Sequence, residues 1–419
     1  MTQGLSLLFP PGMEAIMHAN RPNHRTFPLP LLALGVLVST LAACGGGDTA
    51  PPRPNATHFE GARIVLGDGS TIETGVFIVE DGRFTDVGAV GEIAMPPGAT
   101  HVDLTGRTVI PALVNTHVHL GVAREELTDQ LEQYAYYGVG TVQSMGLDTG
   151  TVVLDMRGES VPGGARYLTA GRGITAPELG RSEAPHWVTS PEEARAAVQE
   201  VSGQGIELVK IWVDDRNGEY DKLTPELYGA VIDEAHANGQ IVAAHIFSLE
   251  DAKGLLQAGV DAFAHSVRDI DIDEEGMALF REHPNVVLIP NLPGADGDAF
   301  AVQARNLALL NGAGTTIAMG TDGGSPPAAH QEMADMVTAG MSPAEVMVAS
   351  TSTGAAFLGL DDVGTIGAGN VADFVVLEAN PLDDIANTTR IVAVYLRGAE
   401  VDRAAIEARM NAAAPAGAP

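Results

Sequence analysis

Two kinds of hydrophobic pattern divide the chain. From about residue 60 the apolar positions alternate over short runs, ARIVLGDGS, GVFIVEDGRFTDVG and THVDLTGRTVIPALV, with turn signals at Asp68-Gly69 and Asp81-Gly82. A second group of such strands, VADFVVLEANP and RIVAVYLRGAEV, lies at the far end, Val371 to Val401. Between the two groups, apolar strands alternate with amphipathic helices. Ser190-Pro191-Glu192-Glu193, Thr224-Pro225-Glu226 and Ser342-Pro343-Ala344-Glu345 each offer a hydroxyl N-cap followed by proline at the first helical position.

Eight strands are expected in this middle region, ending near Asn115, Met145, Thr169, Val213, His245, His265, Asn291 and Asp322. Eight strands with intervening helices over roughly 250 residues predict an α/β fold, a (β/α)8 TIM barrel. The flanking segments would then pair into a small β-sandwich domain. The expected organisation is 59–110 and 362–403 for the β domain, 111–361 for the barrel and 404–419 for a disordered tail. An open doubly wound sheet is the alternative, and the absence of a nucleotide-binding fingerprint after the first strand disfavours it.

Composition changes this picture at the N-terminus. Arg21 and Arg25 precede the apolar stretch LPLLALGVLVSTLAAC, which is short for the ~20 residues of a membrane-spanning helix and fits a signal-peptide core. The ending Leu41-Ala42-Ala43-Cys44 resembles a bacterial lipobox, in which cleavage precedes an acylated cysteine. Residues 1–43 are thus expected to be a lipoprotein signal peptide starting at Met1 or Met17, Cys44 the lipidation site, and 44–58 a Gly/Pro-rich linker. The protein would be exported to the periplasm or cell envelope and held at the membrane only through that lipid. Cys44 is the sole cysteine, so no internal disulfide forms. Asp and Glu number 54 against 23 Lys and Arg, a formal charge of −31, which argues against nucleic acid or anionic lipid as partners.

The candidate chemistry falls at strand ends. The first barrel strand ends in His117-Val118-His119, and residues two apart in extended chain point the same way. The fifth ends at His245, the sixth at His265, and the eighth at Asp322 beside glycines. The fourth, LVKIWVDD, places Lys210 inside a run apolar on both faces, in a chain whose only other lysines are Lys222 and Lys253. An unpaired ammonium there is costly, and a generic cation in a chain this poor in lysine would be Arg, so the position calls for an amine in particular. In a chain of 12 histidines, four His, one Lys and one Asp share one predicted rim. His236 falls within a helix and reads as packing or as support behind the ligands.

These motifs together, VIPALVNTHVHLG, AHANGQIVAAHIF, AGVDAFAHSV, MGTDGG and VGTIGAGNVADFVVLEANPLDDI, resemble the amidohydrolase superfamily, in its imidazolonepropionase-like and Xaa-Pro dipeptidase-like branch. The resemblance spans roughly residues 60 to 402. It implies two divalent metal ions, zinc foremost, with His117, His119 and Asp322 on the first and His245 and His265 on the second. It also implies that Lys210 takes up CO2 as a carbamate bridging the two, which an amine can form and a guanidinium cannot. Asp322 would then be general base and acid in hydrolysis of an amide or peptide C–N bond in a dipeptide or N-acyl amino acid. Arg172, Tyr220 and Arg268 are candidate substrate contacts. A lactone, ester or cyclic-amide hydrolase and a non-catalytic ligand-binding lipoprotein are the alternatives, and a homo-oligomer is left open.

Overall fold

A computed structural model describes residues 52–413 apart from Asp296 and Asp298. The expected signal peptide and Cys44 lie outside the described residues. Among those described, no helix is long and apolar enough to cross a membrane.

The first five strands are β1 (Thr57–Val65), β2 (Thr71–Glu80), β3 (Arg83–Ala89), β4 (Thr100–Asp103) and β5 (Thr108–Pro111). The barrel region supplies β6 (Leu113–Val118), β7 (Val139–Ser144), β8 (Arg166–Thr169), β9 (Ile174–Thr175), β10 (His186–Trp187), β11 (Leu208–Val213), β12 (Ile241–Ile246), β13 (Ala262–Ala264), β14 (Val287–Ile289) and β15 (Thr316–Ile317). The chain returns through β16 (Phe374–Leu377), β17 (Ile391–Leu396) and β18 (Ala399–Glu400).

The flanking segments do pair across the sequence, but their ladders make one sheet instead of the expected two-layer sandwich. Its order is β18-β17-β16-β5-β1-β2-β3, with β4 beside β1. The sheet curls: Phe84 N–H donates to Asn370 O and Ala372 N–H to Gly82 O, bringing β3 back to the segment that enters β16. Inside the curl Phe59 stacks on Phe77 at 4.8 Å and Phe374 on Tyr395 at 4.5 Å. Strand β16 is buried on both faces. Phe374 and Val376 join that aromatic core, while Val375 and Leu377 pack on the barrel side, which explains the unbroken run FVVL.

The barrel strands are parallel, as expected, yet the ladders do not close a ring. They form a three-stranded arc β6-β7-β8 and a seven-stranded arc β10-β9-β11-β12-β13-β14-β15. The break follows from the short β9, which takes the place beside β11 that β8 would occupy. At the other seam Thr116 N–H donates to Met319 O at 2.9 Å, tying β6 to the chain after β15. Val209, Ile211 and Val213 of β11 pack outward against the helices. Leu208 faces an inner cluster of Met145, Ala170, Ala243, Ala262, Val287, Ile289 and Ala318. The helix caps hold, with Ser342 and Glu345 forming a reciprocal capping box. Where a disordered tail was expected from residue 404, the helix Arg403–Ala413 packs back: the Arg403 guanidinium lies 4.4 Å over the Tyr136 ring and donates to Tyr136 O and Ile391 O.

Candidate active site

All six residues of β6 are buried, so its backbone is fixed on both sides. The His117 carbonyl accepts from the N–H groups of Thr321 at 3.0 Å and Asp322 at 2.9 Å. Asp322 is thereby drawn from beyond β15 onto the end of β6. A side chain at Gly320 would meet the Cβ of His117 at 2.8 Å, so this close approach requires glycine. His265, Asn291 and Asp322 have φ of +107°, +48° and +51°, sparsely populated backbone for non-glycine residues and a form of strain that clusters at functional sites.

The side chains converge as follows. His117 Nε2 and His119 Nε2 lie 3.2 and 3.1 Å from the same Asp322 Oδ1, and 3.4 Å from each other. His265 Nε2 lies 3.5 Å from Oδ2. His117, His265 and Asp322 each offer a donor atom within 4.8 Å of the others. The His245 ring stands edge-on to His265 with centroids 4.6 Å apart. Its Nε2 faces Asp214 Oδ2 at 2.9 Å, Arg216 Nη1 at 2.9 Å and Arg268 Nη2 at 3.2 Å.

Protonation decides what this arrangement can hold. The Oδ1 of Asn291 cannot donate, so His117 donates to it through Nδ1 at 3.0 Å. Burial, reinforced by the Lys210 charge, lowers the His117 pKa to about 4, so the ring is neutral and Nε2 carries a lone pair. That lone pair points at a carboxylate oxygen, and a cation between them would turn the repulsion into attraction. Burial opposes ionisation of Asp322, but the imidazoles of His117 and His119 set against it outweigh that and hold its carboxyl well below the usual range. His245 and His265 are both pushed down, first by burial. Among the described residues the His119 Nδ1 and the Lys210 Nζ are buried without a hydrogen-bond partner. Neutral imidazoles, an ionised carboxylate and an orphaned amine form a donor set that suits divalent metal ions.

Lys210 has zero exposure, and burial lowers its pKa to about 7. Its register neighbour on β12 is Ala243, which in turn pairs with Ala262 on β13, so small residues leave room beside the amine. On its other side a Cβ at Gly146 would meet Lys210 Cγ at 2.8 Å and the Trp212 ring at 2.7 Å. Trp212 lies under the ammonium, 5.4 Å from Nζ to the ring centroid.

Beside this cluster opens a cavity of about 260 Å3 whose lining includes His119, Glu178, Arg181, Trp212, Arg216, His245 and Asp322. None of the three expected substrate contacts is among the lining residues. Arg172 donates to the carbonyls of Ala184 and Pro185, pinning a loop. The Tyr220 hydroxyl donates to Leu179 O, and Arg268 donates to Ile246 O behind His245. The cavity's cations are Arg181, paired with Glu178 at 3.2 Å, and Arg216, paired with Glu178 at 2.9 Å and Asp214 at 2.7 Å. Sequence reading missed Arg216 although it lies only three residues past the end of β11. It also missed Asn291, and Glu332, whose buried carboxyl accepts from Leu292 N–H and fixes the Asn291 loop. Glu332 sits in a helix, where no strand-end rule points to it.

The sequence profile of the amidohydrolase family matches residues 108–401. An uncharacterized protein of Mycobacterium tuberculosis is 30% identical over 352 residues, covering 75% of this chain and 90% of its own. Imidazolonepropionase of Deinococcus radiodurans is 27% identical over 416 residues, covering 85% of this chain and 98% of its own. Among solved structures, a putative prolidase from Bifidobacterium longum superposes with a TM-score of 0.74 at 30% identity, covering 86% of this chain and 99% of that one.

Proposed function

The chain belongs to the amidohydrolase family, and on that premise we propose that it is an exported, lipid-anchored, metal-dependent hydrolase of amide C–N bonds. The observation that carries this reading is one carboxylate, Asp322, shared by three imidazoles next to a buried amine with no hydrogen-bond partner among the described residues. His117, His119 and Asp322 would hold one divalent ion, and His245 and His265 a second, with zinc favoured by the nitrogen and oxygen donors. Bound there, the ions supply Lewis acidity, acidifying a water and polarising a carbonyl.

The chain's own residues do the rest. Lys210, about half neutral at pH 7 and increasingly so above it, adds CO2 through the neutral Nζ; a new N–C bond forms, one proton leaves, and an anion stands where the buried amine was. Asn291 holds His117 in the tautomer that keeps Nε2 unprotonated. Asp322 takes the proton of the attacking water and returns it to the departing nitrogen. Its Oδ2, 3.5 Å from His265 while His117 and His119 crowd Oδ1, is the freer oxygen for that transfer.

The substrate we assign is a dipeptide or N-acyl amino acid with a free carboxylate. Two arginines in the cavity of an otherwise acidic protein support an anionic end, and the volume suits a small molecule. Likeness to an imidazolonepropionase and a putative prolidase supports C–N bonds as the target.

The test is elemental analysis of the soluble form starting after Cys44, with and without Lys210→Ala, beside a screen of dipeptides and N-acyl amino acids. Close to two equivalents of transition metal, a clear loss in the variant and turnover of a carboxylate-bearing amide are expected. One equivalent unaffected by the substitution would make Lys210 structural. Absence of bound metal after reconstitution would remove the hydrolase reading.

A further inference from the structure

We infer that the β domain carries a second, separate metal site built from His58, Glu60 and His101. Strands β1 and β4 run parallel with His58 opposite His101 in register. Glu60, two residues beyond His58, points to the same face. His101 Nε2 lies 3.3 Å from Glu60 Oε2, and the two imidazole rings stand 5.7 Å apart. Each residue offers one donor atom within 4.8 Å of the other two.

His58 makes the case that this is more than a surface cluster. It is 2% exposed, and both ring nitrogens are buried without a partner among the described residues. Apolar Ala56, Ile78 and Ala99 form a small core on this part of the β domain, so an aliphatic side chain would fill the position without burying an unpaired N–H. The imidazole earns its place if it has a ligand. Tetrahedral zinc at about 2.0–2.1 Å from each donor requires donor atoms about 3.3 Å apart, which rotation of the two outer side chains can reach. Glu60 and His101 are 37% and 44% exposed, leaving an open side for water to complete the coordination. Two imidazoles and one carboxylate suit a borderline transition metal, zinc foremost, over calcium or magnesium. The site would act as a clip, because β4 is only four residues long and, among the described residues, its ladder is with β1 alone.

The test compares the wild-type protein with His101→Ala and Glu60→Gln after dialysis against zinc, with barrel metals in place. Both side chains are on the surface, so neither change threatens folding, and neither residue belongs to the hydrolytic site. Each variant should lose one zinc equivalent while keeping hydrolase activity and barrel metal content. Zinc-edge anomalous diffraction from wild-type crystals should show a peak among the three side chains. Equal zinc content in all three proteins, or an empty anomalous map at that position, would overturn the inference. The readout is a difference of one equivalent, so it stands whether or not the barrel binds two ions.

Discussion

Lys210→Met in the metal-free protein is the sharpest test of the electrostatics. Methionine keeps the length of the buried stem and removes only the ionisable end. Burial takes the Lys210 pKa from 10.5 to about 7. With each pH unit worth about 1.36 kcal/mol, keeping this amine in the fold at pH 6.5 costs about 4–5 kcal/mol. The sign follows from a folded pKa that lies below the unfolded one. Between pH 7 and 10.5 the unfolded chain binds the proton and the folded chain does not, so wild-type stability rises with pH. At pH 9.5 the remaining cost is about 1–2 kcal/mol. Urea denaturation of chelator-treated protein should therefore find the variant more stable by about 4–5 kcal/mol at pH 6.5, the gap shrinking by about 3 kcal/mol at pH 9.5. A variant no more stable than wild type at pH 6.5, or a gap independent of pH, would refute the desolvation argument. Activity should be lost in the same variant, since a site that destabilises the empty fold is retained for what it does when filled.

Other outcomes follow from the same geometry. Asp322→Asn should lower kcat by about 10²–10⁴-fold, measured at saturating substrate, because the amide cannot shuttle the proton. Arg216→Met should raise KM for free-carboxylate substrates by about 10–100-fold, the worth of a charge-assisted hydrogen bond, and leave carboxamide-ended analogues little changed. Gly146→Ala places a Cβ against Lys210 and Trp212 at a backbone φ of +88°; a loss of about 1–3 kcal/mol in denaturation, with reduced metal content, is expected.

The two-sided pattern of LVKIWV shows how far sequence reading reaches. Alternation alone put Val209, Ile211 and Val213 on one face and Leu208, Lys210 and Trp212 on the other, and the structure sends the first set to the helices. It also placed His117, His119, Lys210, His245, His265 and Asp322 at one rim, because parallel strands have a common C-terminal end. The pairing of distant β segments was legible from their matching patterns. Their curling into one sheet was not, since that depends on Phe59, Phe77, Phe84 and Phe374 meeting across strands that pattern reading treats separately.

The sequence by itself determined the alternation of strands and helices, the rim and the kinds of donor atom on it, because strand period and residue chemistry are local properties. Only the tertiary structure decided which of those donors share a carboxylate, and that Arg216, not Arg172, reaches the cavity. It alone placed Asn291 behind His117, and His58 opposite His101. Those relations join residues up to some two hundred positions apart, and they are set by strand register and loop paths that the packing of the whole chain fixes.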